Sequence, residues 1–103
     1  MDALTFEVIA TVQGAAGMFH VVRTPAGARS PRGAGKYHPK RTEIEFYDAR
    51  YDHDPRFAPL GQFVSSYLPE TLAGHVGGLD LMGYEPSWKV TAEGMATICE
   101  MLK

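Results

Sequence analysis

Apolar and polar residues alternate over the first stretch of the chain. Leu4, Phe6, Val8, Ala10 and Val12 fall on one side, and Thr5, Glu7 and Thr11 on the other. A period of two describes a half-buried antiparallel strand, and Ile9 is the residue that breaks it. Gln13 to Gly17 is short and glycine-bearing, so Met18 to Thr24 reads as the returning strand of a hairpin. There Phe19 and Val21 share one face while Met18, His20 and Val22 share the other, and both faces are expected to be partly covered. A third strand is predicted over Thr42 to Asp48, where Ile44 and Phe46 alternate with Glu43, Glu45 and Tyr47. With the aliphatic side against a core, the acids of that strand are expected on the solvent face.

From Leu60 to Gly74 the pattern changes. Leu60, Phe63, Val64, Tyr67, Leu68 and Leu72 recur at steps of one, three and four, the spacing of an apolar helical stripe. The reading is a helix over Leu60 to Leu68, then a kink or restart with Pro69 in a first turn and a stop at Gly74. Leu79 to Leu81 and Trp88 to Val90 are short strand candidates flanking a Gly83–Pro86 turn. Thr91 is placed to cap a final helix, with Glu93 in its first turn and Met95, Ile98, Cys99 and Leu102 as its apolar stripe. The order β-β-loop-β-α-β-β-α predicts one α+β domain over residues 1–103. Its expected architecture is an antiparallel sheet of four to five strands with two helices packed on one face. Phe6, Val8, Ile44, Phe46, Phe63, Val64, Tyr67, Trp88, Ile98 and Leu102 are the expected anchors of its core.

Composition adds two things to this picture. With 103 residues and 45% hydrophobic content, the chain suits one globular core. The net charge is only −2, but the signs are separated along the sequence. Arg23, Arg29, Arg32, Lys36, Lys40 and Arg41 follow one another with no acid between them, and ten acids against four bases follow from Glu43 onward. The interval 25–40 is rich in proline and glycine and holds no large apolar side chain except Tyr37, so a long basic surface loop is expected. The lone cysteine, Cys99, permits no internal disulfide. The first residues resemble no secretory leader and no apolar run is long enough to span a bilayer, so a cytoplasmic protein that makes no membrane contact is expected.

Candidate chemistry is thin. Asp48, Asp52, His53 and Asp54 are suitable ligand types for a divalent cation. They lack a second histidine at helical spacing, a calcium-loop glutamate and a cysteine pair, so a small metal-dependent enzyme is a secondary reading and no cofactor is implied. Cys99 lies on an apolar stripe, where a thiol is inert. Ser65 and Ser66 have no nucleophile-elbow context, and nothing in the sequence requires any two of His20, His38, His53 and His75 to meet. Gly33 to Lys36 lacks the remaining features of a phosphate-binding loop. The basic interval supports an alternative nucleic-acid interface made of Arg29, Arg32, Lys36, Tyr37, Lys40 and Arg41, with the tyrosine stacking on a base. The acidic remainder of the chain opposes it.

Protein binding without turnover is the favoured expectation. Its candidate surface is Glu43, Glu45, Tyr47, Asp48, Tyr51, Asp52 and Asp54, the acids steering a basic partner and the tyrosines supplying contact area. Thr42-Glu-Ile-Glu-Phe-Tyr-Asp-Ala-Arg-Tyr, Pro59-Leu-Gly-Gln-Phe-Val-Ser-Ser-Tyr and Gly78-Leu-Asp-Leu with Trp88 resemble segments of small uncharacterised proteins carried by phages and mobile elements of gut-type bacteria. The resemblance covers the chain from Thr42 onward and brings no catalytic or ligand motif. It implies a protein, anti-CRISPR-like in size and setting, that binds and inhibits a host or competing-element protein or a nucleic-acid-processing complex.

Overall fold

A computed structural model of the chain describes residues 5–15, 17–29, 31–32, 38–57, 59–75, 77–81 and 88–103. Strands β1 (Glu7–Gln13), β2 (Met18–Thr24), β3 (Glu43–Asp48) and β4 (Gln62–Tyr67) form one sheet in the order β1-β2-β3-β4, each pair antiparallel. Helix α1 (Pro69–Leu72) follows β4. Strands β5 (Leu79–Asp80) and β6 (Lys89–Val90) pair as a separate ribbon, and α2 (Ala92–Met101) ends the fold. The expected α+β class is the observed one.

One face of the sheet carries the core. Val12, Phe19, Val21, Ile44, Phe46 and Val64 meet Leu72 of α1, Trp88 and Val90 beside and within the ribbon, and Met95 and Ile98 of α2. Both helices therefore add to one apolar cluster, as a sheet with one strongly apolar face requires. The start of α2 is fastened to the end of β1. Thr91 accepts a hydrogen bond from the Gly94 amide at 3.0 Å, and its own amide donates to the Gln13 carbonyl at 3.3 Å. Gly94 permits this approach, because a Cβ there would stand 2.9 Å from a Val90 methyl and 3.2 Å from the Gln13 carbonyl oxygen.

Two departures from the sequence pattern share one cause. The register of β1 on β2 shifts between Val8 and Ala10, which turns Ile9 into the core and leaves Val8 43% exposed. Val8 is therefore not a core anchor, and the apparent break at Ile9 is a bulge. The helix expected over Leu60 to Leu68 is instead strand β4. Its register on β3 also shifts, between Phe46 and Tyr47. The bulge sets Val64 beside Ser65 on the core side, so Val64 and Tyr67 share that face at a helix-like spacing in an extended chain, while Phe63, opposite Tyr47, lies on the other face. The restart at Pro69 is present: the proline opens α1, where its missing amide costs nothing.

The opposite face of the sheet is dry at its centre, while Val8 and Met18 at its margin are 43% and 39% exposed. Val22, Thr24, Glu45 and Tyr47 all have zero exposure. The interval after β2 returns over this face: Ala28 and Pro31 are buried, and the Arg32 guanidinium lies 3.6 Å from the centre of the Phe63 ring. The 25–40 interval is thus partly a cover of the sheet rather than wholly a surface loop. Lys36 and Tyr37, like the Gly83–Pro86 turn, lie outside the described residues.

Candidate functional site

The acidic strand and the loop after it, singled out in the sequence, part company in the structure. Glu43 is half-buried, and Glu45, Tyr47 and Asp48 are buried. The solvent-facing acidic strand is therefore not formed. Glu45 and Tyr47 do project away from the main core, as alternation dictates, but Arg32 pairs with Glu45 and stacks on Phe63 over the face they reach.

Asp48 anchors the corner where β3 ends. It is 1% exposed and accepts a hydrogen bond from the Trp88 indole at 2.8 Å. The Arg50 side chain grips both its oxygens, at 2.7 Å for the shortest bond, and the Arg50 amide donates to it at 3.1 Å. Burial pushes this carboxyl up, but the bonds from Arg50 and Trp88 outweigh it and hold Asp48 below the usual aspartate value. Asp48 is in this way the cap of a single 3-10 turn, Ala49–Tyr51, that starts the next loop. Gly61 closes against the same corner. Its φ of 107° suits glycine, and a Cβ there would collide with the Asp48 carbonyl oxygen.

From that base, residues 51–57 form a loop of successive turns, closed by hydrogen bonds from the Asp54 amide to Tyr51 and from the Phe57 amide to Asp54. The rings of Tyr51 and Phe57 lie 5.2 Å apart at 50°, and both residues are partly exposed. Asp54 accepts from the Arg56 amide at 2.9 Å and binds its guanidinium with a shortest distance of 2.6 Å. These Arg56 hydrogen bonds, side chain first, bring the Asp54 pKa down to about 2. Asp52 meets His20 of β2 at 3.3 Å and the exposed His53 at 3.4 Å, while the other nitrogen of His20 shares a 2.9 Å hydrogen bond with Thr11. Both imidazole nitrogens of His20 are engaged, so the ring braces the loop against β1 and β2.

The acids thus come with cations attached. Glu45 pairs with Arg32 at 3.2 Å, Asp48 with Arg50 and Asp54 with Arg56. A negative strip made of these carboxylates does not exist as a free field, because each charge is offset by its neighbour. Among the described residues, no group of three or more His, Cys, Asp or Glu side chains is arranged to hold a metal ion.

The alternative basic residues are also divided. Arg32 is committed to Glu45 and Phe63, and Arg41 meets Glu70 at 2.5 Å. Arg29 and Lys40 are exposed and enter no ion pair among the described residues. Lys40 and Arg41 line a cleft of about 360 Å³ with His38, Pro39, Glu43 and Leu68. Sequence reasoning did not pick out Arg50, Trp88, His20 or Phe63 for this region. Only the arginine carried a usable signal: at two residues after an aspartate it suits a capped turn, as Arg56 does after Asp54.

No protein family, curated protein or solved structure matches the chain, so the resemblance to phage and mobile-element proteins gains nothing from these comparisons. Among the described residues, no helix is long and apolar enough to cross a membrane.

Proposed function

We propose that the protein is a non-enzymatic binding protein whose contact surface is the loop formed by Tyr51, Asp52, His53, Asp54, Arg56 and Phe57. The supporting observation is the partly exposed Tyr51–Phe57 ring pair, on a loop whose turns are capped by Asp48 and Asp54. Aromatic rings carry much of the energy of protein interfaces, and a loop held in place beforehand loses little entropy on docking. The surface keeps Tyr51, Asp52 and Asp54 from the sequence-based set and drops Glu45, Tyr47 and Asp48, which contact the protein's own interior. Asp54 is offset by Arg56, and Asp52 meets histidines, so the partner it suits has a mixed polar and apolar patch rather than a strongly basic channel. Host and competing-element proteins are the candidates to screen.

Affinity capture with nuclease-treated lysate, repeated with the recovered partner purified, tests this reading. The expected result is a one-to-one complex that Tyr51→Ala combined with Phe57→Ala weakens by about 2 kcal/mol or more, while Lys103→Ala leaves it unchanged. Equal binding by the wild type and the double variant would remove the loop from consideration. A nucleic-acid role is the second reading, supported by the exposed Arg29 and by Lys40, which lines the His38–Leu68 cleft. It requires oligonucleotide binding that falls steeply with salt and weakens in Arg29→Ala and Lys40→Ala variants.

A further inference from the structure

The buried end of Arg32 sits in surroundings built by three strands. Glu45 of β3 has zero exposure, and one of its oxygens, Oε1, accepts from the Thr24 hydroxyl at 2.9 Å and the Tyr47 hydroxyl at 3.3 Å. Phe63 of β4 presents its ring face to the guanidinium at 3.6 Å, and Tyr47 supports that ring edge-on with centroids 5.7 Å apart. Carboxylate, hydroxyls and aromatic plate are all fixed by strand pairing (Val22 opposite Glu45, Tyr47 opposite Phe63), so the receptor exists independently of the segment that fills it.

The fit of Arg32 is incomplete. The second oxygen of Glu45, Oε2, is buried and accepts no hydrogen bond, although an Arg32 nitrogen stands 3.2 Å away as an ion-pair partner. A guanidinium can grip a carboxylate with two parallel N–H···O bonds, and a buried oxygen without a hydrogen bond is costly. Arg32 reaches the site from a segment rich in proline and glycine, and its side chain remains 34% exposed. The carboxylate of the receptor is interior and keeps one oxygen without a hydrogen bond, whereas its occupant enters from the surface.

We propose that Thr24, Glu45, Tyr47 and Phe63 form a binding site for an external guanidinium group, and that Arg32 is its resident, exchangeable occupant. The ligand is an arginine side chain of another protein or a small guanidinium compound. An ammonium ion is excluded by shape: it offers neither the planar fork for the carboxylate nor a flat face for the ring. Arg32 acts as a built-in competitor, so outside ligands bind only by displacing it. The site is separate from the Tyr51–Phe57 loop and stands whether or not that surface binds a partner.

The test follows the side-chain Nε–H signals of the full-length protein by nitrogen-15 NMR while ethylguanidinium, a Gly-Arg-Gly peptide or ethylammonium is added. In the wild type, the Arg32 signal is expected to move toward the position of a free arginine with either guanidinium ligand and to stay in place with ethylammonium. Tighter binding of the peptide than of ethylguanidinium identifies a protein-borne arginine as the ligand class, and the reverse order a small molecule. If Arg32 fills the site at least nine-tenths of the time, Arg32→Ala should bind ethylguanidinium about tenfold more tightly than the wild type. Glu45→Gln should abolish binding in both backgrounds. An Arg32 signal unmoved by saturating guanidinium ligand, or an equal response to ethylammonium, would overturn the proposal. The wild-type displacement decides the matter even if Arg32→Ala does not fold.

Discussion

The two faces of the four-stranded sheet are both dry at the centre, and they are dry for different reasons. On one face Ile44, Phe46 and Val21 meet Met95, Ile98, Trp88 and Leu72, an apolar surface closed by helices and a ribbon. On the other, Val22 and Tyr47 share their shelter with Thr24, Glu45 and the arginine that compensates it. The first kind of burial is non-directional and gains with area. The second depends on particular partners, because a carboxylate withdrawn from water is tolerated only when hydrogen-bonded and paired. A strand can therefore alternate apolar and acidic residues without having a solvent face, and β3 does so.

Truncations on the two faces separate these mechanisms. The largest effect belongs to the helix-covered face: Phe46→Ala removes a fully buried ring stacked edge-on against Tyr67 at 5.8 Å. It should cost about 3–5 kcal/mol in a chemical denaturation series. A loss under about 1 kcal/mol would mean that this face is loosely packed.

Next comes Asp48, which joins the core face to the corner loop. Asp48→Asn should cost about 3 kcal/mol, since it weakens the Arg50 grip and the cap while leaving Trp88 a poorer acceptor. Its pH dependence has a definite sign. The folded-state pKa of Asp48 is lowered, so its contribution is complete above the ordinary aspartate value and is lost as pH falls through the folded value. Wild type and Asp48→Asn should therefore differ most near neutral pH and converge once pH has fallen below the folded-state value of Asp48, measured as the gap between their thermal midpoints. A gap that widens on acidification would contradict the assigned role.

On the second face, Arg32→Ala should cost about 2–3 kcal/mol, less than the rupture of a wholly buried pair because Arg32 is one-third exposed. The sharper experiment replaces both partners. Arg32→Met with Glu45→Leu should return to within about 1 kcal/mol of the wild type, since the cost lies in stranding one charge rather than in losing the pair. If the double variant is as unstable as the single one, this face depends on something other than charge compensation. The smallest effect is expected at the exposed Arg23–Glu7 pair, where Glu7→Ala should change stability by under about 0.5 kcal/mol despite a 2.5 Å contact.

Much of the element order could be read from residue pattern because the relevant forces are local. Alternation in Glu43–Asp48, the Thr91 cap with α2 behind it, and Pro69 at the start of α1 all act within a few residues of themselves. The bulge at Ile9 shows in the sequence only as an anomaly and the one at Val64 reads as part of a helical stripe, since a shifted register is defined by the neighbouring strand and leaves ambiguous spacing in its own. The reading of β4 as a helix followed directly from that ambiguity.

The site shows the same division more strongly. Tyr51, Asp52 and Asp54 belong to the candidate surface read from the sequence, and the structure leaves all three partly exposed on one loop. The fate of the acids was not legible, because it turns on encounters between residues far apart in the chain: Trp88 with Asp48, Arg32 with Glu45, His20 with Asp52. By itself the sequence determined which residues belong to each face of a strand, through the two-residue period of an extended chain. Only the tertiary structure decided what lies against those faces. Burial of a carboxylate depends on a covering segment and a compensating cation, and neither is a property of the strand that carries it.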